Sequence, residues 1–234
     1  MPGKPVCAVV GIGPGNGAAL ARRFAKGGYA VALLSRKTDL SEKLVAELTD
    51  ARAYACDVAD AASVKATFAR IRSEMGEVDV LAYNAGSGTW GTVEEITPEG
   101  FETAWRVNAL GLLLASQEVI PAMKAKGAGS IIVIGATASR RGMPRTTAFA
   151  PAKAAQKSLA EAMARHLWPA GIHVALIILD GVVDLPRTRQ AMADKPDDFF
   201  IKPDGVAETA YWLTQQERSA WAFEVEARPF GEKW

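Results

Sequence analysis

The sequence predicts a single α/β domain, residues 1–234, built on one doubly wound parallel sheet of about seven strands with helices on both faces. Three observations carry that prediction. Short apolar runs alternate with amphipathic runs of helical length, the first apolar run ends in a cluster of glycines, and no long linker or internal repeat breaks the alternation. Runs such as VCAVV and IHVALIIL have no polar face, which suits strands covered by helices on both sides. A length of 234 residues with 49% hydrophobic and 23% charged content fits one large core.

In order, Val6–Val10 reads as a buried strand running into Gly11, Gly13, Gly15 and Gly17. A helix follows with Leu20, Ala21 and Phe24 on one face and Arg22, Arg23 and Lys26 on another, stopped by Gly27-Gly28. Residues 29–34 make the second strand, 40–48 a helix, 51–56 a short strand, 61–75 a helix and 78–83 a strand. Thr97-Pro98-Glu99 marks a helix start, with Thr97 as cap and Pro98 in the first turn, leading into one long helix or a pair as far as about Ala125. Residues 130–134 form a strand, 149–168 a helix and 172–179 another strand.

The Pro-bearing stretch 180–204 lacks strong periodicity and carries Leu185, Met192, Phe199 and Phe200, the profile of a mobile lid over a pocket. A helix over 205–215 and a strand over 220–227 close the pattern. In that strand Trp221, Phe223 and Val225 alternate with Ala222, Glu224 and Glu226 ahead of an aromatic tail, so an edge strand with exposed aromatics is expected.

A net charge of +1 and the absence of basic blocks exclude a nucleic-acid footprint and a membrane-surface patch. Small molecules and copies of the chain itself are the expected partners. Cys7 and Cys56 each sit in an apolar strand-like run, which favours reduced, buried thiols over a disulfide. The opening MPGKPVCAVV has no charged-then-apolar leader pattern and no apolar run approaches a membrane span, so a soluble cytoplasmic protein is expected. His166 and His173 have no acid or cysteine cluster at ligand spacing, and no Gly-x-Ser-x-Gly elbow occurs, so neither a metal nor a serine nucleophile is expected.

In such sheets ligands bind beyond the carboxyl ends of the strands, so the residues just after each strand matter most. The first of these is Gly11-Ile12-Gly13-Pro14-Gly15-Asn16-Gly17, where glycines let the backbone turn tightly and approach a diphosphate that the next helix attracts through its free N–H groups. Together with Cys56-Asp57-Val58, Tyr83-Asn84-Ala85-Gly86, Asn108 and Lys153, in that order, this pattern resembles the short-chain dehydrogenase/reductase family over nearly the whole chain. Val10 stands where that family usually has threonine.

The resemblance implies a Rossmann-type domain that binds a nicotinamide dinucleotide and assembles as a dimer or tetramer. It implies that Asp57 and the Val58 backbone meet the adenine, that Asn84, Ala85 and Gly86 line the ribose, that Lys153 holds the nicotinamide-ribose hydroxyls, and that Gly181 and Val183 lie beside the cofactor. Charge argues for the phosphorylated form. The second strand ends Leu34-Ser35-Arg36-Lys37, so no acid awaits a ribose 2′-hydroxyl and Arg36 could pair with a 2′-phosphate; NADP(H) is expected over NAD(H).

The catalytic set departs from the family pattern. Asn108 and Lys153 are present, but Phe149 occupies the usual tyrosine position four residues before Lys153, and Ala136 occupies the usual serine position. Loss of a general acid removes about 10²–10⁴-fold and loss of an oxyanion donor about 10²–10³-fold. Thr137, Thr146 and Thr147 offer only neutral hydroxyls. Asp180-Gly181 stands where the family has Pro-Gly, and a carboxylate there could favour the oxidised ring if ionised or donate a proton if neutral, which makes Asp180 a catalytic candidate beside Asn108 and Lys153. Leu185 replaces a threonine often seen there. Trp90, Met143, Phe149, Leu185, Met192, Phe199 and Phe200 are expected to line an apolar cleft. The expected function is an NADP(H)-dependent oxidoreductase with a reorganised site. The alternatives are a dinucleotide-binding sensor or interaction subunit without turnover, and a lyase or isomerase using the same pocket.

Overall fold

The computed structural model describes residues 3–231; Trp234 of the expected aromatic tail and the opening Met1-Pro2 lie outside the described residues. In chain order the elements are β1 (Val6–Val10), α1 (Asn16–Lys26), β2 (Ala30–Ser35), α2 (Asp39–Glu47), β3 (Ala51–Ala55), α3 (Ala61–Met75), β4 (Val78–Tyr83), α4 (Pro98–Trp105), α5 (Gly111–Lys126), β5 (Gly129–Ala136), α6 (Phe149–Leu167), β6 (Ile172–Leu179), β7 (Val182–Val183), α7 (Pro186–Ala191), β8 (Phe200–Ile201), α8 (Pro203–Thr214) and β9 (Glu224–Ala227).

Seven strands form one sheet in the order β3-β2-β1-β4-β5-β6-β9, and every pairing in it is parallel. The period-two alternation of β1 divides its side chains between two cores. Val6, Ala8 and Val10 pack with Phe68 and Ile71 of α3 and Leu112 and Val119 of α5, whereas Cys7 and Val9 pack with Leu20 and Phe24 of α1 and Leu213 of α8. The strand order reverses between β1 and β4, and this switch point opens the crevice into which the first glycine turn projects.

The boundaries differ from the sequence reading where tertiary pairing overrides local pattern. The strand expected over 130–134 runs from Gly129 to Ala136, because all eight residues pair with β6. The last strand is only Glu224–Ala227, since a short helical turn from Arg218 to Ala220 precedes it. Trp221 and Phe223 are half-buried rather than exposed: the Trp221 indole stacks on the His173 ring with centroids 4.7 Å apart. His173, at the start of β6, is held on both sides, with Nδ1 3.0 Å from the Leu213 carbonyl and Nε2 2.9 Å from the Ala222 carbonyl. The stretch 180–204 has regular structure of its own: β7 and β8 pair in parallel, and α7 lies between them. Asp184 ties this stretch together by accepting from Arg189 and Lys202, which hold its carboxyl well below the usual carboxylate range. Phe200, expected in the cleft, is buried in the β7–β8 pair beneath the Arg189 guanidinium, 4.0 Å from the ring centre.

Candidate active site

Gly11 ends β1 at φ +95°, where a Cβ would lie 2.5 Å from the Ala85 nitrogen. Only glycine fits there. A Cβ on Gly17 would lie 2.5 Å from the Gly11 carbonyl oxygen, so helix and turn touch backbone to backbone. Asn84 fastens the turn from the next strand, its side-chain amide donating to the Gly11 carbonyl at 2.7 Å while its backbone N–H donates to Val10 at 2.9 Å. Gly15 caps α1 without any side-chain bond, and no acidic residue occupies the first turn. Ala18 and Ala19 donate back to Gly13 and Gly15, which leaves the amides of residues 15–17 without acceptors among the described residues. Nothing lies within 4 Å of a Cβ built on Gly13, and Asn16 Oδ1 is buried without a partner. Amides without acceptors at a helix amino terminus form an anion cradle, so the residues present fit the diphosphate of a dinucleotide.

Farther out, Ser35 closes β2 with its hydroxyl donating to the Lys37 carbonyl at 2.8 Å, and Arg36 is exposed with no ion pair among the described residues. Asp57 receives the Ala59 N–H at 3.0 Å and its own N–H donates to Ser63, an arrangement that fixes the loop carrying the nearly buried Val58. Ala85 and Gly86 follow Asn84 along the mouth of the crevice.

At the other end, Asn108 sits in a single π-helical turn, Arg106–Leu110, between α4 and α5. Its side-chain amide donates to the Ala104 carbonyl at 2.8 Å, taking the acceptor that an α-helical N–H would have used, which explains the widened turn. Tyr83 accounts for the neighbouring carbonyl, donating to Val107 at 2.6 Å. Asn108 Oδ1 is left buried and unpartnered.

Lys153, one turn into α6, is buried, and its Nζ donates to the Ile134 carbonyl at 3.0 Å and to Gln156 Oε1 at 2.9 Å. No counter-charge among the described residues compensates it, and burial pushes the ammonium down to about 7. A Cβ built on Gly86 would stand 3.4 Å from Asn108 Oδ1 and 3.8 Å from Lys153 Nζ, so the orphan acceptor and the ammonium border the same gap. Phe149 lies above Lys153 with its ring centre 6.0 Å from Nζ, and Trp90 tilts over Phe149 at 5.0 Å between centroids.

Asp180 follows β6, buried, and bonds the Thr137 hydroxyl while Arg228 pairs with its other oxygen at 2.6 Å. The hydroxyls of Thr137 and Thr146 are committed elsewhere, the latter to the Met143 backbone. Gly181, at φ +151°, lies against Pro229, and Val183 is half-buried in β7. Leu185, just ahead of α7, crosses to the glycine turn, where a Cβ on Gly15 would meet its Cδ2 at 2.2 Å.

Two residues of this site escaped the sequence reading. Gln156 bridges Lys153 to the Asn108 carbonyl, donating to it at 3.0 Å, and is fully buried. Its position three residues after Lys153, on the same helix face, was the available signal. Arg228, more than forty residues from Asp180 in sequence, left no local signal at all. Among the described residues no group of three or more His, Cys, Asp or Glu could hold a metal ion, and no helix is long and apolar enough to cross a membrane.

A model of the short chain dehydrogenase family matches residues 5–196. D-threitol dehydrogenase of Mycolicibacterium smegmatis is 28% identical over 220 residues, 89% of this chain and 85% of that protein. A protein named inactive 2-(S)-hydroxypropyl-CoM dehydrogenase 2, from Xanthobacter autotrophicus, is 29% identical over 208 residues, 83% of this chain and 90% of its own. Among solved structures, the alcohol dehydrogenase of Thermococcus sibiricus complexed with 5-hydroxy-NADP superposes with a TM-score of 0.87 at 26% identity, covering 98% of each chain.

Proposed function

The chain belongs to the short-chain dehydrogenase family, and from that premise we propose that it is an NADP(H)-dependent oxidoreductase with an atypical active site, acting on an apolar carbonyl or alcohol. The observation that carries this reading is the row of amides at residues 15–17 that meets no acceptor among the described residues, with the exposed Arg36, which has no ion pair among them, beyond the next strand. One end accepts a diphosphate and the other a 2′-phosphate. The Thermococcus relative's complex with an NADP derivative supports the same preference.

A bound dinucleotide supplies or accepts the hydride. The protein's part is to hold it and manage charge. Asn84 keeps the turn in shape, Asp57 and Val58 border the adenine side, and Ala85 and Gly86 the ribose. Asn108 Oδ1 is the acceptor for a nicotinamide-ribose hydroxyl, with the Lys153 ammonium beside it. Asp180, paired with Arg228 and bonded by the Thr137 hydroxyl, is the further catalytic candidate, at the end of β6. Gly181, Val183 and Leu185 close over the cofactor as part of the lid 180–204, and Trp90, Phe149 and Met143 offer the apolar surface for substrate.

The test is binding of NADPH and NADH to the pure protein, followed by turnover against a panel of carbonyls and alcohols, with the double variant Phe149→Tyr, Ala136→Ser alongside. Turnover by the natural chain is the expected result. A specific observation favours one rival reading, binding without turnover: Phe149 and Ala136 present no hydroxyl, and one similar protein carries the name inactive. If only the double variant turns over, that reading replaces ours. Phe101 and Trp105 lie four residues apart on α4 and are both partly exposed, which fits self-association as a dimer or tetramer; sedimentation as a monomer at micromolar concentration would refute it.

A further inference from the structure

We propose that Lys153 is itself the proton donor to the reduced carbonyl, taking the part for which no phenol is present, and that Gln156 is the positioning residue that sets its direction; this rests on the oxidoreductase reading above. Three features of the geometry point to it. Two of the three ammonium hydrogens are fixed, on Ile134 and Gln156, and no described acceptor takes the third. The gap at Gly86 that Nζ borders also borders the unpartnered Asn108 Oδ1, so an oxygen placed there can accept from Lys153 while Asn108 receives a neighbouring hydroxyl. Gln156 in turn cannot swing away, because its own Nε2 donates to the Asn108 carbonyl.

No other described group within reach can serve. The Phe149 ring carries no proton, Thr137 is tied to Asp180 and the Leu179 carbonyl, Asp180 is paired with Arg228, and the Tyr83 hydroxyl is spent on Val107. No charged group among the described residues shifts Lys153, and its depressed titration follows from burial alone. A group that titrates near neutrality exchanges protons at working pH, unlike an ordinary lysine.

The step balances. Hydride from the reduced nicotinamide dinucleotide adds to the carbonyl carbon, the π pair moves to oxygen, one N–H bond of the ammonium breaks and an O–H bond forms, directly or through one water. The dinucleotide is oxidised, the carbonyl is reduced to an alcohol, and the neutral amine regains a proton from solvent.

Reduction of 4-nitrobenzaldehyde by NADPH tests this across pH 5.5 to 9. The expected kcat/KM is flat at low pH and falls tenfold per unit above a break near 7, because the charged form is the donor. Lys153→Arg keeps a cation for the ribose but yields no proton, and should bind NADPH while losing about 10²–10⁴-fold in turnover. Gln156→Leu removes an acceptor from the ammonium and should move the break to lower pH by about one unit. A readout without turnover comes from [ε-13C]lysine-labelled, dinucleotide-free protein, in which the resonance missing from Lys153→Arg should titrate near 7. NADPH turnover with no break, with Lys153→Arg within threefold of the natural chain, or with that resonance titrating above 9, overturns the proposal and leaves the oxidoreductase reading standing. NADPH binding with no reduction of any member of the carbonyl panel at any pH overturns both, and absence of NADPH binding overturns the dinucleotide site itself.

Discussion

The two ends of the crevice were built by different means. At the β1–α1 end the contacts are backbone to backbone, with Gly11 against Ala85 and Gly17 against Gly11, and the polar groups left over are amides whose charge never changes. At the β5–α6 end the polar groups are buried side chains, Asn108, Lys153 and Gln156, including a cation with no counter-charge among the described residues. The first end can bind an anion at any ordinary pH. The second stores an electrostatic cost that a bound, hydroxyl-rich ligand would relieve. Binding and chemistry are thereby separable, and each can be broken without the other.

The largest expected effect is on the storing end. With Lys153 at about 7 in the folded chain and about 10.4 unfolded, the unfolded state binds more protons between those values, so stability should rise with pH through that window by about 1.4 kcal/mol per unit. Below pH 7 both states hold the proton and the contribution is flat. Urea unfolding of the ligand-free protein at pH 7, 8 and 9 measures the slope, and Lys153→Met should flatten it by most of that amount. Equal slopes in the two proteins would mean that the ammonium is solvated after all, and the contrast between the two ends would collapse.

At the binding end, Gly17→Ala forces a methyl to 2.5 Å from the Gly11 carbonyl oxygen, a backbone atom that can move only by opening the turn. Overpacking of this kind costs about 1–3 kcal/mol. Unfolding midpoints should fall, and titration calorimetry should show NADPH binding weakened on the order of tenfold to a hundredfold. Unchanged binding would show that the turn does not hold the diphosphate.

That asymmetry also decides what the sequence could disclose. The alternation of β1 through β6 with their helices was legible, because most of these strands are short, largely apolar runs separated by amphipathic runs of helical length. The glycine turn was legible because its constraint is local. The π-helical turn at Asn108 was not, since it arises when a side chain takes a carbonyl four residues back, and no propensity records that choice. The regular structure of 180–204 was hidden for a related reason: β7 and β8 are two residues each and exist through their mutual pairing. Asp180 was singled out by a departure from the family pattern, but its partner Arg228 could not be, because only the β6–β9 pairing brings them together.

A smaller effect concerns which dinucleotide the first end prefers. Arg36 is exposed, so a phosphate paired with it remains partly screened by water and salt. Arg36→Glu should weaken NADPH by about tenfold and leave NADH nearly unchanged, with the difference shrinking as salt is raised. A mutation that weakened both cofactors alike would place Arg36 in folding rather than in selection.

The smallest expected change in stability separates fold from function at a single turn. Gly13 has no heavy atom within 4 Å of an added Cβ, in contrast to Gly11 and Gly17 on either side. Gly13→Ala should therefore leave unfolding within about 0.5 kcal/mol of the natural chain, since it meets no packed neighbour. If a dinucleotide lies across the open amides, the same methyl enters its space and NADPH affinity falls although the apoprotein is untouched. Paired with Gly17→Ala, where stability and binding should fall together, this variant shows whether the turn's empty side is reserved for a ligand.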